Sequence, residues 1–381
     1  MKILRMIAIA TAVAGCGIMA ARYTPPAAAE AAYDTSAGRV SVTRVVGGLD
    51  LPWGVAPLPE GGALVTEKGA QLLHFSPGWE RSSVAGLPPV SQGGQGGLLD
   101  VTLARDFEQT RTLFLTFSEA ADGGRRTTMI SARLSDDNTR LEDVASLFRQ
   151  DPAVRGGRHF GSRVVEATDG TLFVTTGDRG DPPLAQRLDG GIGKVIRVTR
   201  DGQVPADNPF VGQSGAQPEI WSYGHRNIQG AALDADGRLW TLSHGARGGD
   251  ELNLALPGLN YGWPEISYGT HYSGAKIGSG TAQAGMEQPK WYWDPSIAPS
   301  GLMIYSGALF PEWEGDVFAG ALKFDYIARL DRADDEITGE EKLFEDAYGR
   351  IRDIVEAPDG SIWFLSVADG ALFRIAPADA S

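Results

Sequence analysis

One histidine stands in a setting that suits acid–base chemistry. His159 lies in the polar, glycine-flanked segment RGGRHFGSR (155–163), just before a run with the alternation of a strand, and the chain has only five histidines. An imidazole in an accessible polar loop titrates near neutrality, so His159 can serve as a general base for a substrate hydroxyl. A histidine that only braces its loop through a backbone carbonyl would have the same surroundings.

Three basic residues suggest a site for a polyanionic ligand. Arg350 and Arg352 alternate along the run YGRIRDI, so in a strand both guanidinium groups project to the same side. Two fixed cations repel each other unless an anion lies opposite, and arginine suits bidentate contacts with carboxylates. Lys323, from a different repeat, adds a third cation if its loop reaches the same channel. The alternative is a solvated pair of arginines bonded to Asp346 and Asp353.

Segment 222–250 carries two unusual clusters separated by one hairpin. GHRN near its start contributes Arg226 and Asn227, and the glycine-rich run HGARGGDE follows the hairpin. The run has too few side-chain donors for a carboxylate cage, but its glycines let backbone carbonyls converge, and Ca²⁺ accepts carbonyl oxygens readily. A tight glycine turn between strands is the competing interpretation.

Tryptophans near these clusters offer candidate stacking surfaces. Trp263, Trp291 and Trp293 lie in the runs NYGWP and KWYWDP, and an indole ring can stack on a sugar ring or a planar cofactor. The competing role for such residues is packing in the hydrophobic core. Gln95, in the glycine-rich run SQGGQGGLLD, is a further polar candidate between strands.

A repeated unit predicts the architecture. An apolar run, a turn and a second apolar run recur in six units, two of them loose, which begin at Gly54, Leu98, Arg163, Gly230, Gly307 and Asp353. Asp-Gly or Glu-Gly in the turn supplies the positive φ of a tight hairpin, and β-branched and aromatic residues flank it. Radial repetition of four-stranded sheets leaves only short edges. We therefore expect an all-β, six-bladed β-propeller with long top-face loops, closed by VSVTRVV beside the last blade.

The N-terminal residues have the pattern of an export signal. A basic start, MKILR, precedes an apolar run too short to span a bilayer, and the single cysteine, Cys16, follows VAG. This pattern is similar to a bacterial lipoprotein signal, whose cysteine is lipidated, and ordinary signal cleavage within PPAAAEAAYD is the alternative. We expect an exported, periplasmic protein, lipid-anchored to a membrane or otherwise soluble. The predicted divisions are a signal and the start of a tether at 1–32, a linker at 33–39, the catalytic propeller at 40–377 and a tail at 378–381.

Charge and cysteine content narrow the classes of partner. The 381 residues carry a formal net charge of −14, which argues against nucleic acid as a partner. Because Cys16 is the only cysteine, the exported domain has no internal disulfide and depends on its hydrophobic core. Chemistry on soluble small molecules fits this composition.

Taken together, the motifs resemble one family. GGQGGLLD, RHFGSR followed by TTGDRG, IGKVIRVTRDGQVPADNPF, SYGHRNIQG, SHGARGGDELNL, NYGWP, APSG and GRIRDI occur in that family's order. From about Val42 to Ile375 the chain resembles the soluble dehydrogenases of glucose and other aldoses that depend on pyrroloquinoline quinone (PQQ), the glucose/sorbosone dehydrogenase domain. The resemblance implies a quinoprotein oxidoreductase that oxidises aldose sugars to lactones at the anomeric carbon. It also implies an external electron acceptor, a quinone or a cytochrome.

The resemblance assigns roles to individual residues. His159 would be the general base, with PQQ as the hydride acceptor and Ca²⁺ beside it. The remaining matches are Gln95, Arg226 and Asn227 toward cofactor and substrate, Lys323, Arg350 and Arg352 toward the cofactor carboxylates, Trp293 toward the sugar, and the carbonyls of Gly245 and Ala246 toward the metal. Asp250 would be an acid that supports this metal loop.

Two other functions stay open at this point. A Ca²⁺-dependent lactonase can be built on a six-bladed propeller, but such sites use several acidic and amide side chains where this chain offers cations. The other is a non-catalytic propeller that is tethered through Cys16 and binds a protein or a glycan.

Overall fold

The structure, a computed structural model, describes residues 31–378. Residues 1–30, which include most of the predicted export signal and Cys16, and residues 379–381 of the predicted tail lie outside it. No helix within residues 31–378 is both long and apolar enough to cross a membrane. Helical structure in that range is limited to α1 (Phe107–Thr110) and two 3₁₀ turns, Pro182–Gln186 and Pro311–Trp313.

The strands form six antiparallel sheets, which are the blades of a propeller. Before the first blade, the chain forms a hairpin of two strands, β1 (Ala31–Thr35) and β2 (Gly38–Val46). Blade 1 contains β3 (Pro52–Pro57), β4 (Ala63–Glu67), β5 (Gln71–Phe75) and β6 (Arg81–Val84). Blade 2 contains β7 (Leu98–Leu103), β8 (Thr112–Ala121), β9 (Gly124–Leu134) and β10 (Leu141–Arg149). Blade 3 contains β11 (Val164–Glu166), β12 (Leu172–Thr175), β13 (Lys194–Val198) and β14 (Ile220–Tyr223).

The second half of the chain forms the other three blades. Blade 4 contains β15 (Ile228–Leu233), β16 (Leu239–Ser243), β17 (Asp250–Leu254) and β18 (Trp291–Trp293). Blade 5 contains β19 (Pro299–Ile304), β20 (Val317–Ala321), β21 (Ile327–Ala333) and β22 (Glu336–Leu343). Blade 6 contains β23 (Ile351–Glu356), β24 (Ile362–Ser366) and β25 (Ala371–Pro377), followed in the sheet by β2 and then β1. The all-β, six-bladed propeller expected from the repeats is therefore confirmed.

Ring closure also follows the prediction, because β2, which contains VSVTRVV, pairs with β25 in the last blade. The residues predicted as a linker, 33–39, differ from that prediction: β1 pairs with β2 from Ala31 to Thr35 and adds a fifth strand. The physical reason lies in Tyr33, whose ring packs 4.7 Å from the ring of Phe344 and anchors the extra strand on the core of blades 5 and 6.

The repeated turns have the conformation that the sequence predicts. Gly170, Gly237 and Gly360, each the second residue of an Asp-Gly pair, have φ of 81°, 78° and 78°. In each turn the glycine N–H donates to the carbonyl three residues earlier and closes the hairpin. The fifth repeat differs, because the inner strand of its blade begins at Pro299, one strand before the predicted start at Gly307.

Hydrophobic side chains fill the spaces between neighbouring blades. One buried cluster joins Leu242 and Leu252 of blade 4 to Ala319 and Leu330 of blade 5. Comparable clusters lie between blades 1 and 2 and between blades 5 and 6. Because each blade buries its faces against two neighbours, the ring holds its inner strands in fixed positions around a central channel.

The first strand of each blade lines that channel: β3, β7, β11, β15, β19 and β23 contact one another in turn. We call the end of the propeller at which these six strands begin the site face. Arg163 crosses the channel just below it, with ion pairs of 2.9 Å to Asp100 and 2.8 Å to Asp353. Beyond Arg163, toward the other end, lies a cavity of about 290 Å³.

Candidate active site

The site face brings His159 against a buried carboxylate. Nδ1 of His159, in the loop before β11, lies 2.6 Å from Oδ1 of Asp178, which follows β12. The other Asp178 oxygen accepts a hydrogen bond of 2.8 Å from the indole N–H of Trp263. Because a carboxylate accepts hydrogen bonds, Nδ1 carries the proton and the Nε2 lone pair of His159 stays free. The imidazole is 12% exposed, so the free nitrogen has a route to a substrate.

The pKa values of both His159 and Asp178 are lowered, and this sets the protonation state of the pair. Burial lowers the pKa of His159, the hydrogen bond that His159 donates to Asp178 raises it and the charge of Arg226 lowers it further, with a net shift below the ordinary value. Burial alone would raise the pKa of Asp178, but the hydrogen bonds with His159 and with the N–H of Gly180 outweigh it. At neutral pH, therefore, a neutral imidazole faces a charged carboxylate, the state a general base requires.

Hydrogen bonds from its backbone N–H groups to two side chains fix the loop that carries His159. The His159 N–H donates to Oε1 of Gln95 at 2.6 Å. Asn227, which is 1% exposed, accepts a hydrogen bond of 3.3 Å from the N–H of Gly161 through its side-chain oxygen. His159 itself has φ of 54°, a left-handed conformation that a non-glycine residue adopts at a cost. The structure thus places both predicted residues beside the predicted base, where Asn227 supports the loop from below.

Arg226 is a buried cation that has no carboxylate partner within residues 31–378. Its guanidinium carbon lies 5.3 Å from the ring centroid of Trp263, and Nη1 donates to the carbonyl of His244 at 3.3 Å. Nε has no hydrogen-bond partner although the residue is only 8% exposed. A buried donor that lacks a partner in the protein is costly, so this atom fits a site that an anionic or carbonyl-bearing ligand completes.

The three other predicted cations also meet at the site face. Nη1 of Arg350 donates to the carbonyl of Leu322 at 2.8 Å, which brings it beside exposed Lys323. Burial lowers the pKa of Arg352 to about 9, and the charges of Arg163 and Arg350 contribute to the same shift. None of Lys323, Arg350 and Arg352 forms an ion pair within residues 31–378. Their arrangement supports the prediction of a polyanion site over that of a solvated pair.

Lys68 adds a cation that the sequence analysis missed. Burial lowers its pKa, and the nearby charge of Arg352 is the next cause. Its Nζ donates to the carbonyl of Gly94 at 3.0 Å, in the same glycine-rich run as Gln95. Lys68 lies in the turn between β4 and β5. The pairing of these two strands, which the sequence does not show directly, places this turn at the site face.

The glycine-rich run forms a tightly folded loop between β16 and β17. A Cβ at Gly245 would overlap the carbonyl oxygens of Gly248 and Gly249, so only glycine fits there. Asp250 fixes the loop: its carboxylate accepts the N–H of Gly245 at 2.7 Å and the hydroxyl of Ser296 at 2.7 Å. Through these two hydrogen bonds Asp250 supports the loop, as the resemblance implied.

The donor set of this loop is made of backbone carbonyls. Within residues 31–378, no three His, Cys, Asp or Glu side chains come together as metal ligands. The carbonyls of Gly245 and Ala246 lie in a loop whose shape depends on glycine, and Ca²⁺ accepts such oxygens. The residues present therefore fit a calcium ion held through carbonyls rather than a transition metal held by side chains.

Trp293 does not occupy the position that was predicted for it. It is 5% exposed and packs with Leu242, Leu252 and Leu302 in the core between blades 4 and 5. Its indole N–H donates to Glu340 at 2.9 Å. Trp293 ends strand β18, and its side chain faces the neighbouring blade rather than the site face.

Asp178 is a site residue that sequence reasoning did not single out, and Trp263 was singled out only as a candidate stacking surface. Asp178 belongs to the quoted motif TTGDRG, and an acid directly after a buried strand was the available signal. Trp263 was one of three competing tryptophans. The contact between Trp263 and Asp178 spans 85 residues, so no local pattern shows it.

Comparisons with known proteins agree with this geometry. A family model described as Glucose / Sorbosone dehydrogenase matches residues 49–374. Aldose sugar dehydrogenase YliI of Escherichia coli (strain K12) is 43% identical over 336 residues, which cover 86% of this chain and 91% of that protein.

Solved structures extend the similarity to three dimensions. The soluble aldose sugar dehydrogenase of Escherichia coli in its apo-form matches with a TM-score of 0.86 and 42% identity, covering 89% of this chain and all of that one. The PQQ-bound form of aldose sugar dehydrogenase from Streptomyces coelicolor matches with a TM-score of 0.73 and 27% identity, covering 91% of this chain and 99% of that one.

Proposed function

The chain belongs to the glucose/sorbosone dehydrogenase family, and from that premise we propose that it is a PQQ-dependent, Ca²⁺-dependent dehydrogenase that oxidises aldoses to lactones. The observation that carries the proposal is the His159–Asp178 pair, with its free Nε2. It lies on the same face as four cations that have no carboxylate partner in the described part of the chain: Arg226, Lys323, Arg350 and Arg352. A base for a hydroxyl proton and a cradle for a polyanion are the two parts that this reaction needs from the protein.

The protein's share of the chemistry is proton transfer and orientation. Nε2 of His159 takes the proton from the C1 hydroxyl of the aldose, while the C1 hydrogen leaves as hydride and the C1–O bond becomes the lactone carbonyl. Asp178 stabilises the imidazolium that forms, because its Oδ1 already accepts the Nδ1 proton. Gln95 and Asn227 hold the loop so that the ring does not need to reorganise.

The cation set fits the three carboxylates of PQQ. Lys323, Arg350 and Arg352 would hold these carboxylates, and Arg226, with its unpartnered Nε, would donate to an oxygen of the same ligand. When bound, PQQ supplies the two-electron hydride acceptor that the chain itself lacks. The Streptomyces coelicolor relative, solved in its PQQ-bound form, supports this choice of cofactor.

Calcium would lie at the carbonyls of Gly245 and Ala246. Asp250 holds the loop in the required shape through the Gly245 N–H, and a divalent cation there would offset part of the buried negative charge around it. The chemistry it supplies when bound is Lewis-acid polarisation of the electron acceptor.

The proposal extends to the protein's setting in the cell. We propose export to the periplasm, with Cys16 as a lipid anchor, and an external quinone or cytochrome that takes the two electrons. The N-terminal sequence supports the first part, and the second follows from the need to reoxidise the cofactor after each turnover.

Reconstitution tests the proposal. The purified apo-protein should reduce an artificial electron acceptor with glucose or another aldose only when both PQQ and Ca²⁺ are added. A panel of aldoses with and without each addition separates the two requirements. No gain with any aldose would refute the sugar dehydrogenase function, and lactone hydrolysis without PQQ would favour a lactonase.

A further inference from the structure

Three arginines surround the loop that carries His159, and we call Arg125, Arg158 and Arg179 the arginine cluster. Nη1 of Arg179 donates to the carbonyl of Arg158 at 2.6 Å, and the Arg179 guanidinium lies over the ring of Phe160. Burial lowers the pKa of Arg179 to about 10, and the charge of nearby Arg125 contributes to that shift. The Arg179 side chain therefore stays positively charged at neutral pH.

Arg158 is placed directly beside the proposed catalytic pair. Its Nε lies 2.6 Å from the position that a Cβ on Gly180 would take. The N–H of Gly180 donates to Oδ1 of Asp178 at 2.7 Å, and the same oxygen binds His159. The Arg158 side chain thus packs against Gly180, the residue whose N–H binds the carboxylate that orients the base.

The side chain of Arg158 has no partner of its own. It is exposed, and among residues 31–378 it makes neither a hydrogen bond nor an ion pair. Arg179 and Arg125, by contrast, each donate to backbone carbonyls, of Arg158 and of Gly93. All the guanidinium donors of Arg158 are consequently available to a ligand.

The arginine cluster forms no ion pair within residues 31–378. Asp178 is the acid closest to it along the chain, and its charge raises the pKa of Arg179. Both Asp178 oxygens are already bonded, to His159 and Gly180 and to the indole of Trp263. Asp181, the other acid of this loop, makes no ion pair within the described residues. In a chain with a net charge of −14, three neighbouring arginines that form no ion pair within the described residues are a local excess of positive charge.

We propose that the arginine cluster is a substrate subsite for an anionic group, so that the preferred aldose carries a phosphate or a carboxylate. This inference rests on the proposed function, because it assumes that the C1 hydroxyl of the sugar is at His159. Arg158 would bind the anion through two parallel N–H donors, the geometry that guanidinium offers to phosphates and carboxylates. Arg125 and Arg179 would add to the positive potential around that group.

The test compares three sugars that differ in one group: glucose, glucose 6-phosphate and glucuronate. We expect the wild-type protein, loaded with PQQ and Ca²⁺, to have a higher kcat/KM for at least one anionic sugar than for glucose. Arg158→Gln should lower the ratio of anionic to neutral kcat/KM by at least about tenfold, mainly through KM, because a charge-assisted contact is lost. Arg39→Gln is the matched control. The side chain of Arg39 is also exposed and forms no ion pair within the described residues, but Arg39 lies on β2 in the last blade and not in the arginine cluster.

Each outcome has a defined meaning. Preference for phosphate alone or for carboxylate alone supports the inference and identifies the group. Glucose turnover with a ratio that Arg158→Gln leaves unchanged overturns the inference but not the proposed function. If the variant slows only reoxidation by an acidic electron carrier, the arginine cluster is a docking surface and the inference is wrong. Absence of turnover with all three sugars would refute the proposed function and this inference with it.

Discussion

The Asp178 carboxylate decides which nitrogen of His159 is free. Because Oδ1 lies 2.6 Å from Nδ1, the proton stays on that nitrogen and Nε2 is left as the acceptor. The Trp263 indole and the Gly180 N–H fix the carboxylate in turn. A base held in one tautomer and one orientation needs little rearrangement before it accepts a proton.

Replacing Asp178 tests this chain of contacts. In Asp178→Asn the negative charge that raises the pKa of His159 is lost, so the acid limb of the kcat/KM profile should move to lower pH. Turnover should fall by about 10²–10⁴-fold, because the imidazolium that forms during the reaction loses its stabilisation. The measurement is a pH profile of the reconstituted enzyme, beside Asp181→Asn, an exposed acid in the same loop.

The sign of the pH effect follows from the lowered pKa of His159 in the folded protein. The neutral base is present above that pKa and is lost as the pH falls through it, so the wild-type activity should persist to lower pH than an ordinary histidine would allow. An acid limb in Asp178→Asn at the wild-type position, or at higher pH, would contradict the assigned role.

For individual residues, the sequence predicted which residues belong to the site better than it predicted which side chains contact each other. His159, Arg226, Lys323, Arg350 and Arg352 stand in polar runs between strands, and the structure brings them to one face. Asp178 was missed, the hydrogen bond from Trp263 to it was not predicted, and Trp293 was misplaced, because the direction of a side chain relative to a neighbouring blade is a tertiary property. Periodicity along one strand contains no information about it.

At the scale of elements, the hairpin β15–β16 joins the two clusters of segment 222–250. Ile228 pairs with Ser243, so the residues before β15 and after β16 emerge at the same end. Arg226 and Asn227 precede the first strand, and the glycine loop follows the second. Antiparallel pairing across a short turn is a local rule, so this juxtaposition follows from the hairpin pattern in the sequence.

The glycine loop makes a prediction of its own. In Gly245→Ala, the new Cβ would overlap the carbonyl oxygens of Gly248 and Gly249, so the loop must open. We expect the affinity for Ca²⁺ to fall by at least about tenfold, together with the affinity for PQQ. Calorimetric titration of Ca²⁺ into the metal-depleted protein measures the first effect.

Two variants control for general damage. Gly78→Ala, in a turn after β5, places a Cβ 3.7 Å from the hydroxyl oxygen of Ser76, an ordinary contact, and should bind Ca²⁺ normally. Asn227→Ala removes the acceptor for the Gly161 N–H and should slow turnover while leaving the affinity for Ca²⁺ intact. The same change in affinity in Gly245→Ala and Gly78→Ala would show that the loop is not a metal site.

At the scale of the whole molecule, Arg163 joins five of the six blades. It belongs to blade 3, pairs with Asp100 of blade 2 and Asp353 of blade 6, donates to the Gln229 carbonyl of blade 4 and lies over Trp53 of blade 1. It also donates to the Arg352 carbonyl, which links the centre of the channel to the cations of the site face. Repeats in the sequence predicted the ring, but nothing local indicated that one arginine crosses it.

Removal of Arg163 should destabilise the ring. Arg163→Met leaves two buried carboxylates uncompensated, so the free energy of unfolding should fall by about 3–5 kcal/mol. The loss should be smaller at about pH 5 than at neutral pH, because burial raises the pKa of Asp100, to about 6 even with Arg163 present, and protonation removes the charge. Urea denaturation at both pH values measures this.

A triple variant separates charge from packing. Adding Asp100→Asn and Asp353→Asn to Arg163→Met removes the buried charges, so part of the lost stability should return. Equal stability of Arg163→Met and the wild type at neutral pH would show that the ion pairs do not hold the blades together.

The most direct test of the central claim is a single-turnover measurement on protein loaded with PQQ and Ca²⁺. The absorbance of bound PQQ after mixing with an aldose reports its reduction, and wild type is compared with His159→Ala. Our account predicts one equivalent of bound cofactor in both proteins, with reduction at least about 100-fold slower in the variant. Reduction of the cofactor by His159→Ala at the wild-type rate, or no reduction in the wild type with any aldose, would contradict it.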